Sequence, residues 1–373
     1  MKKVGLTTIY SVPNYGSVLQ TFATQELLRK MGCECRIINY KYPNEWHYKR
    51  GTKKMNVISR AALFLGLKRH HRKALKLNAF KKKYFNFTPF YKNLNALERE
   101  DWDDYDWIIV GSDQVWNPRF LKGDTAYMLS YLPDQIKRFS LASSFASKSL
   151  PESYIGTYRK YLSRFDYLSV REENGVDIFR NELGINKEIK VLLDPTLLLS
   201  KEEWLELIPR SGFQKKNPYI LFYMLDYAFD PKPYIFQVVE YFAWKLNYSV
   251  IILEGSIPVS FSSEFNVINK TDASVEEFID LFCNADLVIT SSFHGSAFAA
   301  NFGIPLISII PDNKQDDRQS TLLKSIGLDE SLISKGTDIE NINPFYNSER
   351  EQKHLDDRRN DSLQWIKQIM YLN

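Results

Sequence analysis

The residues whose types and spacing could do chemistry are concentrated in residues 286–311, DLVITSSFHGSAFAANFGIPLISIIP. Residues 287–290 form a short apolar, β-branched run that predicts a buried strand. Ser291 and Ser292 break it and leave Phe293, His294 and Gly295 in a turn. Ser296, Ala297, Ala299 and Ala300 then follow at a density that suits a helix packed closely on a sheet. Gly303 closes that helix, and residues 304–310 supply the next strand. His294 therefore falls where a strand ends and a helix begins. Ligands of open α/β sheets bind outside the carboxyl ends of the strands, and the free N–H groups of a helix N-terminus favour an anion. An imidazole there can give and take a proton beside a phosphate or carboxylate. A single histidine in a turn also serves as a cap or packing group, so its context matters: His47, His70, His71 and His354 all lie in strongly charged segments.

Four more strand patterns end in polar residues. Residues 106–110 (DWIIV) run into Gly111, Ser112, Asp113, Gln114, Val115 and Trp116. Residues 138–145 end on Ser143 and Ser144, 167–170 lead to Arg171 and Glu172, and 190–193 lead to Asp194, Pro195 and Thr196. At the start of the chain, residues 3–9 read as a strand, 11–15 as a loop, 16–30 as a helix closed by Gly32, and 36–40 as the second strand. This βαβ opening lacks GxGxxG, so a dinucleotide is not indicated. Asn14, Tyr15, Gly16 and Ser17 can lay N–H groups and a hydroxyl against an anion or a sugar, or simply cap the helix.

These elements imply an α/β chain of two domains, since 373 residues are too many for one ordinary core. The expected organisation is a Rossmann-like domain over 1–200 and a second over 217–345. A C-terminal helix over 348–373, with Trp365, Ile366, Ile369 and Met370 at helical spacing, would cross back to the first domain. Residues 255–263 have the composition of a cleft-lining loop, and 316–326 read as a helix with Arg318 near its start. Three cysteines make no disulfide framework and point to reduced thiols in a cytoplasmic protein. No apolar run reaches membrane-spanning length, and the N-terminus lacks the apolar core of a signal peptide.

The net charge of +4 hides an asymmetry. Residues 46–97 hold 14 Lys or Arg and no Asp or Glu, while the rest of the chain has 35 basic and 45 acidic residues. A basic helical insertion over about 46–100 is expected. AALFLGL at 61–67, flanked by KRHHRK and KKK, would face an anionic membrane surface or a polyanion, or else belong to a solvated helical excursion with no partner. Nucleic acid is not expected, because no recognised binding motif accompanies the charge. No clustered His or carboxylate set indicates a metal.

Taken in order, N-Y-G-S at 14–17, G-S-D-Q-V-W at 111–116, S-V-R-E at 169–172, L-D-P-T at 193–196 and S-F-H-G at 292–295 resemble the polysaccharide pyruvyl transferase family. The resemblance implies two facing Rossmann-like domains of the GT-B type with a cleft between them. It also implies transfer of pyruvate from phosphoenolpyruvate, as co-substrate and with no cofactor, onto two sugar hydroxyls as a ketal. The setting would be capsular or exopolysaccharide biosynthesis on a lipid-linked or free glycan, with the enzyme cytoplasmic or peripheral on the inner face of the membrane. His294 matches the family's motif histidine and would transfer protons, and Arg171 would grip the donor with Arg318, Ser292, Gly295 and Ser296. Asn14, Tyr15, Gly16, Ser17, Ser112, Asp113, Gln114 and Asp194 would line the acceptor side. Ser292 departs from members that carry Arg two places before the histidine. A nucleotide-sugar glycosyltransferase, with Glu254 as its ribose carboxylate, and a non-catalytic glycan-assembly protein are the competing readings.

Overall fold

Strands that are apolar on both faces and alternate with helices require parallel sheets covered on both sides, and this chain builds two. A computed structural model describes residues 1–41, 66–256, 258, 265–311, 317–346 and 348–371. The described residues fall into two compact units. The first is drawn from Met1–Arg60, Asn78–Leu198 and Asp361–Asn373, the second from Ala61–Leu77 and Leu199–Asn360.

In the first unit β1 (Lys3–Thr7), β2 (Glu34–Tyr40), β3 (Phe87–Tyr91), β4 (Trp107–Val110) and β5 (Lys137–Ser140) lie in the order β3-β2-β1-β4-β5. Every pairing is parallel. A further parallel pair, β6 (Leu168–Val170) and β7 (Ile189–Val191), joins through the bridges Phe139↔Tyr167 and Ser143↔Val170. In the second unit β8 (Tyr219–Tyr223), β9 (Ser249–Glu254), β10 (Val267–Asn269), β11 (Leu287–Thr290), β12 (Leu306–Ile310) and β13 (Leu332–Ser334) form an all-parallel sheet ordered β10-β9-β8-β11-β12-β13. Both sheets are doubly wound. Their order reverses between β1 and β4 and between β8 and β11, and these reversals are the positions where such sheets open a crevice for ligands.

The helices that matter below are α1 (Tyr15–Lys30), α2 (Arg69–Tyr84), α3 (Tyr234–Leu246), α4 (Val275–Cys283), α5 (Phe293–Phe302), α6 (Arg318–Ser325) and α7 (Ser348–Tyr371). Their ends follow local chemistry. The Asn14 side chain accepts from the Ser17 N–H at the start of α1, Ser274 and Glu277 make a reciprocal capping box on α4, and Gly303 takes the left-handed conformation that ends α5. Trp116 anchors the first unit's core, with its ring 5.2 to 5.9 Å from Phe145, Phe165 and Phe179 and its indole N–H donated to the Tyr127 carbonyl. The second unit's core is built on β8, β9, β11 and β12 against the apolar face of α3.

The structure differs from the sequence expectation in three places. The stretch around 46–100 is not only a helical excursion: Phe87–Tyr91 pairs with β2 as an edge strand, where Pro89 is tolerated because its missing N–H faces no neighbour. Four of its cations are also compensated from elsewhere in the chain. Arg69 and Arg72 meet Asp272 at 2.7 and 2.6 Å, Lys76 meets Glu277 at 2.9 Å, and Lys73 pairs with Glu254. Residues 46–65, with most of the AALFLGL patch, lie outside the described residues, as do 257 and 259–263 of the expected cleft loop. Finally, the longer segment of the second unit runs from Leu199, where 217 was expected. The capping box of Ser200 and Glu203 opens a short helix whose Trp204 packs 5.3 Å from Phe298 of α5. No described helix is long and apolar enough to cross a membrane.

Candidate active site

In the first unit the connections leaving β1, β4, β5, β6 and β7 carry one buried polar network. Gly111 follows β4 because a Cβ there would stand 2.9 Å from the Thr8 Cβ. Two residues on, Asp113 adopts φ 70°, a left-handed conformation that a short polar side chain tolerates. This turn aims its carboxylate back at α1, where the Ser17 hydroxyl donates to it at 2.8 Å, while the Gln114 N–H donates to its other oxygen at 2.9 Å. Arg171, just after β6, lies at the centre. Its guanidinium bonds the Asp194 carboxylate at 2.7 Å and has Asp113 at 3.8 Å and Glu172 at 4.0 Å. Asp194 also accepts from the Ser112 hydroxyl and from both the N–H and hydroxyl of Thr196, at 2.7 to 3.0 Å. Glu172 accepts from the Ser144 hydroxyl and the Phe145 N–H.

In the second unit β11 delivers α5 to the sheet's reversal point. Ser292 caps the helix through the Gly295 N–H, and His294 is the second helical residue, 6% exposed, in the turn whose N–H groups lack intrahelical partners. Gly295 lets this turn press on the sheet. Its place beside Tyr223 and Thr290 leaves no room for a side chain, and Thr290 is pinned there by donating to the Tyr223 carbonyl and accepting from the Ser292 N–H. The Ser296 hydroxyl lies 2.9 Å from that of Ser308 on β12, to which Gln319 of α6 donates at 2.7 Å. Gln319 thereby ties the first turn of α6, which begins at Arg318, to the first turn of α5.

A family model for polysaccharide pyruvyl transferases matches residues 14–313, from the α1 cap past both reversal points. The chain belongs to the polysaccharide pyruvyl transferase family. Solved structures similar to this pyruvyl transferase family member include the UDP-GlcNAc 2-epimerase from Neisseria meningitidis bound to UDP-GlcNAc, at 11% identity over 100% of both chains with a TM-score of 0.54. The UDP-GlcNAc 2-epimerase from Methanocaldococcus jannaschii, in complex with UDP-GlcNAc and UDP, is similar at 15% identity over 100% of both chains with a TM-score of 0.52. Likeness at this identity shows the fold, which is GT-B-like with parallel-sheet Rossmann-like units. No curated protein matches the chain significantly.

The residues expected to serve the pyruvyl transferase divide between the units. Ser17, Ser112, Asp113, Arg171 and Asp194 share one network in the first, with Asn14 beside it as a cap; Ser292, His294, Gly295, Ser296 and Arg318 gather in the second. Arg171, expected to grip the donor, stands among three carboxylates, and Tyr15 is fully buried. Gln114 bonds the Asn117 side chain at 2.8 Å. Glu254, the carboxylate that a nucleotide-sugar enzyme would keep for a ribose, is ion-paired with Lys73. The sequence reading missed Ser308 and Gln319. Ser308 was detectable as the one polar residue in the strand LISII, since a buried hydroxyl needs a partner.

Proposed function

We propose that this transferase moves the pyruvyl group of phosphoenolpyruvate onto two hydroxyls of a glycan as a ketal, with His294 as the proton-transfer residue. The observation that carries the reading is the position of His294 in the first turn of α5, directly after the central strand β11 and at the reversal of the sheet. The N–H groups of that turn suit the donor's phosphate and carboxylate. The imidazolium protonates the methylene carbon, C2 becomes electrophilic, and a glycan hydroxyl adds to it. The C2–O bond to phosphate then breaks, and a second hydroxyl closes the ketal. Two protons leave the hydroxyls; one balances the new methyl group and the other leaves with phosphate. The pairing of Glu254 with Lys73 weighs against the nucleotide-sugar reading.

Incubating the full chain with phosphoenolpyruvate and lipid-linked or free glycans, and following phosphate release together with a pyruvate mass shift, tests the donor. His294→Ala is expected to lower turnover by roughly two to four orders of magnitude, the usual yield of a positioned acid or base. Wild-type turnover in that variant would remove His294 from the mechanism.

A further inference from the structure

Lys81, in the last turn of α2, is buried to 9% exposure, yet its surroundings are poor for an ammonium group. It donates one long hydrogen bond, 3.5 Å to the Tyr10 carbonyl. Among the described residues it has no carboxylate partner, and the charged group that acts on it is another cation, Lys41. An ammonium carries three donors, and burying its charge without a counter-ion is unfavourable, so packing alone would be served better by an apolar side chain. Its place in the fold supplies a reason for keeping it. Tyr10 lies in the connection from β1 to α1, and Lys41 directly follows β2, so both stand on the carboxyl edge of the first sheet, Tyr10 after the strand that borders the reversal between β1 and β4. The Tyr10 ring is held 5.0 Å from Phe87, and its hydroxyl donates to Asn39 at 2.5 Å, which fixes the carbonyl that orients Lys81.

We propose that Lys81, with Lys41, forms a phosphate-binding subsite on the carboxyl edge of the first unit's sheet, taking a phosphate group of a substrate. A bound phosphate would supply the counter-charge that no described residue supplies. Burial, aided by Lys41, lowers the Lys81 ammonium to about 8, so phosphate binding at pH 8.5 should draw a proton onto it. The phosphate can come from the donor or from a diphosphate-linked acceptor, and the inference does not depend on which donor the enzyme uses.

The test is calorimetric titration of the full chain with inorganic phosphate, phosphoenolpyruvate and pyrophosphate, in wild type and Lys81→Met, at pH 7 and in buffers of differing ionisation enthalpy at pH 8.5. Binding is read without turnover, so its failure is distinct from a failure of pyruvyl transfer. Lys81→Met is expected to fold with an unchanged or higher Tm, to bind the probes about tenfold more weakly, as loss of a charge-assisted bond implies, and to lose proton uptake at pH 8.5. Weakening confined to phosphoenolpyruvate assigns the subsite to the donor; weakening confined to pyrophosphate assigns it to the acceptor. Unchanged affinity for all three probes overturns the proposal, and so does the failure of wild type to bind any of them at millimolar concentration.

Discussion

At the scale of single residues, Arg171 and Lys81 are opposite cases of a buried cation. Arg171 is held by Asp194 at 2.7 Å with Asp113 and Glu172 close by, so removing it strands three buried carboxylates. Arg171→Ala is expected to lower stability by about 3–5 kcal/mol. Arg171→Lys should be intermediate, keeping the charge but not the fork. A variant with wild-type Tm and weaker donor binding alone would return the guanidinium to the donor. Among the described residues Lys81 has no such company, and burial lowers it from 10.5 to about 8. Between those values the unfolded chain binds more protons than the folded one. Stability should therefore rise with pH across that window, by on the order of 3 kcal/mol, while below about pH 8 the full destabilisation is present. In urea unfolding, Lys81→Met should exceed wild type most at pH 7 and converge with it near pH 10.5. A pH-independent difference would mean that the ammonium is not destabilised.

At the scale of elements, the first turn of α5 depends on how closely it can approach the sheet. A Cβ on Gly295 would collide with Thr290 Oγ1 and come within 2.9 Å of Tyr223 Cδ1, and Thr290 cannot yield without losing two hydrogen bonds. Gly295→Ala should destabilise by about 1–3 kcal/mol and move His294 off its station, so kcat should fall along with Tm. Gly156 is a suitable control: it lies inside the helix Glu152–Leu162 with open space around its Cβ position, so Gly156→Ala should stabilise slightly, by about 1 kcal/mol, and leave kcat unchanged. Loss of activity in the control, or none in Gly295→Ala, would remove the link between this contact and catalysis. On α2 the sequence shows only a run of cations. That four of them find Asp272, Glu254 and Glu277 depends on pairings across 181 to 203 residues.

At the scale of the whole chain, the first unit is completed by residues from its far end. Ser362 accepts from the Leu193 N–H, Trp365 stacks 5.6 Å from Phe139, Ile366 is fully buried, and Lys2 donates to the Met370 carbonyl. Deleting residues 361–373 removes this cover. Hydrogen exchange should then quicken in β1, β5 and β7 while β8 and β11 keep their protection. Uniform loss across both sheets would mean that the two units unfold together. The same chain-spanning design explains why the family's motifs are scattered from Asn14 to Gly295: each sits at the end of a different strand.

What the sequence by itself determined is what short-range chemistry controls. Apolar runs marked the strands, Asn14 and Gly303 marked helix ends, and the break at Ser291 and Ser292 placed His294 at a strand-to-helix junction. Spacing of a few residues is enough for those, because a cap or a helical turn is made by neighbours in the chain. Only the tertiary structure decided that Arg171 would be enclosed by carboxylates, that Glu254 would pair with Lys73, that residues 87–91 would be an edge strand, and that Lys81 would be buried beside Tyr10. Each of these depends on which strand or helix lies next to which. Parallel strands joined by crossovers acquire their neighbours through packing of the whole sheet, and no local pattern records that order.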